Sequence, residues 1–416
     1  MNVPMGIKKV ALLVNGYVVG GAVRDFLLNK PVFDYDISTP MTPDEVKEVL
    51  KQNNYDVIPT GEKYGTISTF VDGIFLPVEI TTFRSEKYNG TRFPEVAFHT
   101  SNQGDLMRRD FTINAMAYDP RNNEILDYNG GLNDIINKTI RFVGIPSERI
   151  LEDPLRIIRA CRIAVTLGFT IEPDSLSAIR NMAYKLKTIS QERLLMEVKK
   201  SVPYFRNFIQ ILNESNLLKH TFGYSFEQTH LIRHDNRVSH YGETVFEHLL
   251  DALTRAQQKQ WFSFPLQVAL LFHDVGKTIT MSEDNGIRHF INHEIESVNI
   301  FESTFGKFAG FDQNSKKQIS FLIRNHMRFP ELQKKRTIIR TVIDWKLQNI
   351  PFEWIENLTK LAFADRGMDY SNILKKIEIV WNTPRPNGKD FLKYESNKRT
   401  DMIRQAWIEK AHELSI

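Results

Sequence analysis

Cysteine is the scarcest residue of this chain: a single one, Cys161, in 416 residues. One thiol excludes an internal disulfide framework and a cysteine-based zinc site, and it fits a reducing, cytoplasmic setting. Long apolar runs are missing too, since none reaches the ~18 residues that a bilayer span needs. The stretch Val10–Val14 after Lys8-Lys9 is too short for a signal peptide and runs into Asn15-Gly16-Tyr17, which argues against export. Histidine is nearly absent from the first half: of 11, only His99 precedes residue 220. Carboxylates and arginines are therefore left for chemistry early in the chain and imidazoles late, which predicts two separate sites. What is present is ordinary: 42% apolar and 25% charged residues exclude disorder and collagen-like or mucin-like stalks. At roughly 100–200 residues per domain the length allows two to four domains, and a net charge of +4 permits a polyanionic partner.

Residues 1–140 mix strand-like and helical patterns. Gly65–Phe70 and Pro77–Thr81 are rich in β-branched residues and read as strands, with Asp72-Gly73 joining them as a hairpin. Beyond residue 150 the pattern is almost wholly helical: Leu155, Ile158 and Cys161 recur at helical spacing, as do Leu194 and Val198. Gly168 with Pro173, and later Gly223, punctuate turns. The expectation is an α+β head on a long helical body.

The head carries Gly20-Gly21-Ala-Val-Arg24-Asp25, then Asp34-Tyr-Asp36. Paired glycines before an apolar helix let backbone N–H groups approach a phosphate, and Arg24 can clamp a triphosphate. In a strand, Asp34 and Asp36 point to one face. Two carboxylates so placed can hold Mg²⁺ and orient an attacking hydroxyl, with Glu79 as a third catalytic candidate. Each element alone is commonly a turn or a solvated edge; the two linked at this spacing are a stronger signal. Two competing phosphate motifs fail. Gly276-Lys277-Thr278 ends like a P-loop, but the required upstream glycine falls at Leu271, and no Gly-x-Gly-x-x-Gly follows a strand.

Downstream lie Arg108-Arg109-Asp110-Phe-Thr-Ile-Asn114-Ala and Glu152-Asp153-Pro-Leu-Arg156-Ile-Ile-Arg159-Ala-Cys-Arg162. Pro154 suits a first helical turn with Asp153 as N-cap. Asp153 and Arg156, three apart, are neighbours on a helix surface, an ion pair that could equally hydrogen-bond a nucleobase edge.

These four motifs resemble, in order and spacing, those of class II tRNA nucleotidyltransferases, the CCA-adding enzymes and bacterial poly(A) polymerases, over about residues 15–200. The resemblance implies a small polymerase-β-like nucleotidyltransferase head, a mixed sheet plus helices, followed by an all-helical neck, body and tail. It implies Mg²⁺ at Asp34 and Asp36, nucleotide contacts at Gly20, Gly21, Arg24, Arg109, Arg159 and Arg162, and choice between CTP and ATP by Asp153 and Arg156. The reaction implied is addition of C, C and A to the tRNA 3′ end. Gln191-Glu192-Arg193 through Glu197 resembles the family's neck-helix motif. The segment from Thr82 to Pro94, with Arg84, Tyr88 and Arg92, resembles its flexible loop. Gly90 stands where an acidic residue is usual, which keeps CC-only or A-only addition, and a poly(A) polymerase, as alternatives.

The second half holds Glu243, His248, His273-Asp274, His293, His326 and Asp365. Apolar Leu266, Ala269, Leu270 and Phe272 make the helix before His273 a buried one, and a charged aspartate beside it is costly without metal or partners. Imidazole with carboxylate suits Mn, Fe, Ni, Zn or Mg. The ordered set resembles the HD phosphohydrolase superfamily, with matching ligands His248, His273, Asp274 and Asp365. His293 and His326 fall where some members place extra ligands. That implies a divalent transition metal or Mg²⁺ and phosphoester hydrolysis, and leaves an HD phosphohydrolase with an RNA-binding head as an alternative of another class. Lys334, Lys335, Arg336 and Arg340 could contact tRNA phosphates or form a solvated helix face. The expected divisions are 1–140 head, 141–225 neck with base recognition and RNA binding, 226–372 HD body and 373–416 helical tail. The expected partners are tRNA, CTP and ATP, and no membrane.

Overall fold

The computed structural model describes residues 3–87, 95–98, 100–234, 243–392 and 395–414. Tyr88, Arg92 and His99 lie outside the described residues. The chain divides into two compact units, residues 1–189 and 190–416, so that the segment 141–225 is shared between them.

The first unit opens with α1 (Met5–Leu13), β1 (Tyr17–Val19), α2 (Gly21–Leu27), β2 (Asp36–Thr39) and α3 (Pro43–Gln52). Then come β3 (Ile58–Gly61), β4 (Thr66–Thr69), β5 (Val78–Thr82), β6 (Arg84–Lys87) and β7 (Glu95–Phe98). The helix α4 (Asn102–Met107) and the strands β8 (Met116–Asp119) and β9 (Glu124–Asp127) follow. Seven strands form one mixed sheet in the order β3-β4-β5-β2-β1-β8-β9. The hairpin expected at Asp72-Gly73 is present: β4 and β5 pair antiparallel, Thr66 opposite Thr81, with Gly73 at φ +79°. The pair β2–β5 is parallel and aligns Asp36 with Glu79, while antiparallel β1–β2 aligns Val19 with Asp36. That register sets the glycine turn, Asp36 and Glu79 side by side at one end of the sheet.

The sheet is held by alternation. Val18, Ile37, Ile67, Ile80 and Tyr118 are fully buried together with Ile7 and Val10 of α1 and Val46 and Leu50 of α3. Helix α3 starts sharply because Thr42 caps it in a reciprocal box with Glu45 and Pro43 occupies the first turn.

Three expectations change. Strand β2 begins only at Asp36, so Asp34 sits in the preceding loop. Arg84 lies not in a loop but in β6, which pairs with β7, Arg84 opposite Phe98. The region after residue 150 is not wholly helical. Thr139–Ile140 pairs with Thr170–Ile171, and Met281–Asp284 forms a hairpin with Ile287–Phe290. The second has a plain cause in Asn285-Gly286, both at positive φ (50° and 76°), as a two-residue hairpin turn requires.

In the second unit, the helix Val245–Gln258 packs on Phe264–Phe272 and on Phe352–Arg366. Phe264–Phe272 in turn packs on Gln313–Asn325. Leu266 through Phe272 are all buried, so this helix is enclosed by its neighbours. Phe272 closes an aromatic cluster, its ring centroid 5.1 Å from Phe226 and 5.5 Å from Phe301. Phe272→Ala should lower the stability of this unit by about 3–5 kcal/mol, read as a drop in the urea midpoint followed by tryptophan fluorescence. An unchanged midpoint would mean that the cluster does not support the fold.

Candidate active site and metal centre

The head site grows out of the strand register. The chain leaves β1 through Gly20, whose φ of +76° disfavours a side chain. A Cβ there would also lie 3.0 Å from Arg109 Nη1 and 3.3 Å from Asp36 Oδ2. Glycine therefore lets the turn pass directly beside a guanidinium and a carboxylate. A recess of about 230 Å³ opens here, lined by Gly20, Gly21, Arg24, Asp36, Arg109, Asp110, Asn114, Arg159 and Arg162 among others.

Burial lifts the Asp36 carboxyl to about 6; Arg109 pulls against that rise, and the charges of Asp34 and Glu79 add to it. Asp36 thus feels the negative charge of two neighbouring carboxylates, with Arg109 as the counter-charge. Such hard oxygen donors fit a divalent cation.

The arginines are held by an ordered chain of partners. Asn114 Oδ1 accepts from Arg24 Nη1 (2.6 Å), and Asn114 Nδ2 donates to Asp110 Oδ1 (3.0 Å). The other oxygen of Asp110 accepts from Arg159 Nε (3.0 Å) and Nη2 (2.6 Å). Arg109 is anchored more loosely, 3.4 Å from the fully buried Asp105, and its buried Nε has no hydrogen-bond partner among the described residues. Asp110 and Asn114 stood in a quoted motif without a role, and Asp105 was not singled out. Their positions within five residues of Arg109 were the available signal.

Asp153 and Arg156 lie off this recess. Asp153 Oδ1 accepts from the Leu155 backbone N–H (3.2 Å), but the helix Leu155–Leu167 has Pro154, not Asp153, at its N-cap. Arg156 is buried and donates to Glu152 (2.6 Å) and to the backbone carbonyls of Arg149 (3.0 Å) and Arg108 (3.1 Å). Arg84 donates to the Tyr64 carbonyl and, through its backbone, to Asp105.

The second unit gathers all six expected histidines and aspartates in one buried cluster. His248 Nε2 lies 2.9 Å from Asp365 Oδ1 and 3.5 Å from Asp274 Oδ2. His273 Nε2 lies 3.3 Å from His248 Nε2 and 3.5 Å from Asp274 Oδ2. His293 and His326 face the other oxygen, Asp274 Oδ1, at 3.2 and 3.6 Å, with their Nε2 atoms 3.1 Å apart. Three of these rings share one local device. Nδ1 of His273, His293 and His326 meets the carbonyl three residues earlier, at Leu270 (2.9 Å), Phe290 (2.8 Å) and Ile323 (2.7 Å). A carbonyl only accepts, so each Nδ1 carries the proton and each Nε2 turns a lone pair inward when the ring is neutral. Lone pairs facing one another and two carboxylates repel unless positive charge enters, and this donor set is the one a divalent cation takes. Burial pulls the His273 ring down, but Asp274 and Asp365 raise it above the usual imidazole range. Burial pushes Asp274 up, yet Lys277 and His273 hold it well below the ordinary carboxylate range. His234 and Lys277 also enter the cluster: Lys277 Nζ lies 2.6 Å from Asp274 Oδ2 and 3.2 Å from His234 Nδ1. His234, 43 residues from Lys277 in the chain, could not be found from spacing.

Against known proteins, residues 16–141 match the family described as "Poly A polymerase head domain". Residues 168–225 match "Probable RNA and SrmB- binding site of polymerase A". The chain is 32% identical over 403 residues to the CCA-adding enzyme of Staphylococcus epidermidis, covering 92% of this chain and 85% of that one. The chain belongs to the CCA-adding enzyme family. A second member, from Enterococcus faecalis, is 45% identical over 183 residues, 44% of this chain and 43% of the relative. The fold agrees. The Bacillus stearothermophilus CCA-adding enzyme in complex with CTP superposes with a TM-score of 0.71 at 23% identity, covering 98% of this chain and 92% of that one. The Thermotoga maritima enzyme complexed with tRNA_CCA gives 0.66 at 21%, covering 100% and 93%. Nucleotidyltransferases of this class use divalent metal ions, and the histidine–aspartate cluster of this member of the CCA-adding family has donors that could hold one. Among the described residues no helix is long and apolar enough to cross a membrane.

The Asp110 junction gives this family member a testable acid sensitivity. Burial raises that carboxyl, but Arg159, Asn114 and Arg156 outweigh it and hold it at about 2. A carboxyl depressed in the folded state stabilises at pH above its unfolded value and loses that contribution as pH falls through the folded one. From the model value of 3.8 to about 2, this amounts to about 2 kcal/mol, present above pH ~4 and fading toward pH ~2. Asp110→Asn should therefore be less stable at neutral pH and show a shallower loss between pH 5 and 3 in urea melts; parallel profiles would refute the coupling.

Proposed function

We propose that this chain is a CCA-adding tRNA nucleotidyltransferase that adds C, C and A from CTP and ATP to the tRNA 3′ end. The carrying observation is the single recess in which the glycine turn, Asp36 and four arginines converge, with Glu79 paired beside Asp36. In this reading the tRNA 3′-oxygen bonds to the nucleotide α-phosphorus, the bond from that phosphorus to the leaving pyrophosphate breaks, and the hydroxyl proton passes to water. Mg²⁺ at Asp34 and Asp36, when bound, neutralises phosphate charge and lowers the barrier to attack. Asp36 and Glu79 hold their carboxylates at the reacting end of the sheet. The glycine turn leaves room for the triphosphate, and Arg24, Arg109, Arg159 and Arg162 orient it. Arg109 has an unmade bond to give, since its buried Nε lacks a partner among the described residues. Asp153 and Arg156 select the base, which requires Arg156 to exchange Glu152 for the incoming nucleotide. We assign the cluster of His248, His273, Asp274 and Asp365 as a divalent-cation site of the HD type; the inward-facing lone pairs support that reading.

The assay uses tRNA ending at the discriminator base, at C or at CC, with CTP and ATP given separately and together. The expected products are CCA, CA and A; addition of CC alone, A alone or a long A tail overturns the reading in favour of a partial enzyme or a poly(A) polymerase. Asp36→Ala should lose at least ~10³-fold in rate, the scale of removing a preorganised electrostatic group. Asn114→Ala should raise KM for both nucleotides several-fold with a smaller change in kcat, because Arg24 loses its anchor; unchanged KM would show that Arg24 is positioned without it.

A further inference from the structure

We propose that the cavity beside the histidine–aspartate cluster is a binding pocket for a small phosphoester, whose phosphate is received by the guanidinium groups of Arg324 and Arg366. The proposal rests on the divalent-cation reading of that cluster.

A cavity of about 520 Å³ adjoins the cluster. Its lining includes Glu294, Asn325 and Met327, the chain neighbours of His293 and His326, together with Arg324, Arg328 and Trp345. The volume is that of a small-molecule site. Most of the charge around it is already paired. Arg328 Nη1 lies 3.2 Å from Glu331 Oε2, and Asp344 takes two donors of Arg404, at 2.5 and 2.9 Å. Arg324 differs: it is exposed, and its side chain makes no hydrogen bond or ion pair among the described residues.

Arg366 is underused in a similar way. It follows Asp365, with its Nε 3.5 Å from Asp365 Oδ2, yet that buried Nε has no hydrogen-bond partner among the described residues. Its Nη2 donates to a weak acceptor, the Met327 sulfur, at 3.1 Å. Met327 therefore belongs to both features: it lines the cavity, and it holds the guanidinium that flanks the cluster. A guanidinium fork matches two oxygens of one phosphate, which a single thioether cannot replace. A phosphate oxygen that displaces the sulfur makes the stronger, charge-assisted bond.

An anion next to Asp274 and Asp365 needs positive charge close by. A cation in the cluster supplies it from one side, and Arg324 and Arg366 supply it from the other. Ile295 and Trp345 add apolar wall to the cavity, which suits the organic part of an ester better than phosphate alone.

The test uses the full chain carrying Asp36→Ala, which disables the head cation site, loaded with less than one equivalent of Mn²⁺. Electron paramagnetic resonance verifies that the ion is bound. Inorganic phosphate and phenyl phosphate are then titrated separately while phosphorus NMR relaxation is followed, because only phosphate seated close to bound Mn²⁺ relaxes fast. Saturable enhancement is expected with both, the ester binding more tightly. Arg324→Met and Arg366→Met should each weaken binding about tenfold or more, the scale of one hydrogen bond to a charged group, with Mn²⁺ still held. Arg366→Lys keeps the charge but loses the fork, and should fall in between. His248→Ala with Asp365→Ala should abolish both the bound ion and the enhancement. Circular dichroism verifies folding, and the lysine variant guards against a packing defect in the methionine one. Protein that holds no Mn²⁺ would overturn the cation reading itself. Bound Mn²⁺ without enhancement, or phosphate affinities that ignore all three arginine variants, would leave that reading standing and overturn the pocket. Enhancement that survives the His248→Ala, Asp365→Ala change would place the phosphate elsewhere and overturn it too. Enhancement by phosphate and none by the ester would overturn the ester as ligand.

Discussion

The parallel pairing of β2 with β5 is the constraint on which the head depends. Among the described residues it is the one parallel contact in an otherwise antiparallel sheet, and it brings Glu79 beside Asp36, 43 residues earlier in the chain. A slip of one residue would turn Asp36 toward the core and bring Ile37, now fully buried, to the solvent side. The buried alternation of Val18, Ile37 and Ile80 therefore fixes chemistry as well as packing. Carboxylates at the sheet end and arginines from later segments meet only because apolar residues two positions away cannot be anywhere else.

A second principle runs through both units: charged groups are oriented by partners that are not themselves reactive. Asn114 and Asp110 tie Arg24 to Arg159. Main-chain carbonyls aim three imidazoles. Glycine does the same work by absence. At Gly276 a Cβ would lie 2.2 Å from the His293 carbonyl oxygen and 2.6 Å from the Ser297 nitrogen, so the turn after Asp274 presses against the start of the next helix. The Gly276 N–H and the His273 carbonyl both bond Ser297 Oγ, at 2.8 Å each. The two halves of the cluster are thereby locked at backbone distance.

Much of this was legible from residue order, and the failures have physical causes. The strands around Asp72-Gly73 and the helix through Leu155 and Cys161 could be read because period and turn chemistry agree there. Asp34 and Asp36 read as lying on one face of a strand, but the strand begins only at Asp36, because nothing local marks where pairing begins. The Asn285-Gly286 hairpin carried an ordinary turn signal that the surrounding helical pattern masked. The partners of Arg156 were out of reach for a different reason. Glu152 and Asp153 are both within range of one helical turn, and the third acceptor, the Arg108 carbonyl, lies 48 residues away. Choosing between adjacent carboxylates needs the tertiary fold. His234, 43 residues from Lys277, was missed on the same ground.

The three imidazoles draw their orientation from the main chain of residues 270, 290 and 323, not from the side chains there. Leucine, phenylalanine and isoleucine could each be exchanged for another residue of similar bulk without releasing a ring. The cage is thus insulated from drift in its surroundings: neighbouring identities can turn over completely while the electron pairs stay aimed into the same cluster. Inheritance of such a centre is written in backbone curvature and a handful of letters, which is why percentage identity is a poor guide to whether a distant cousin retains it.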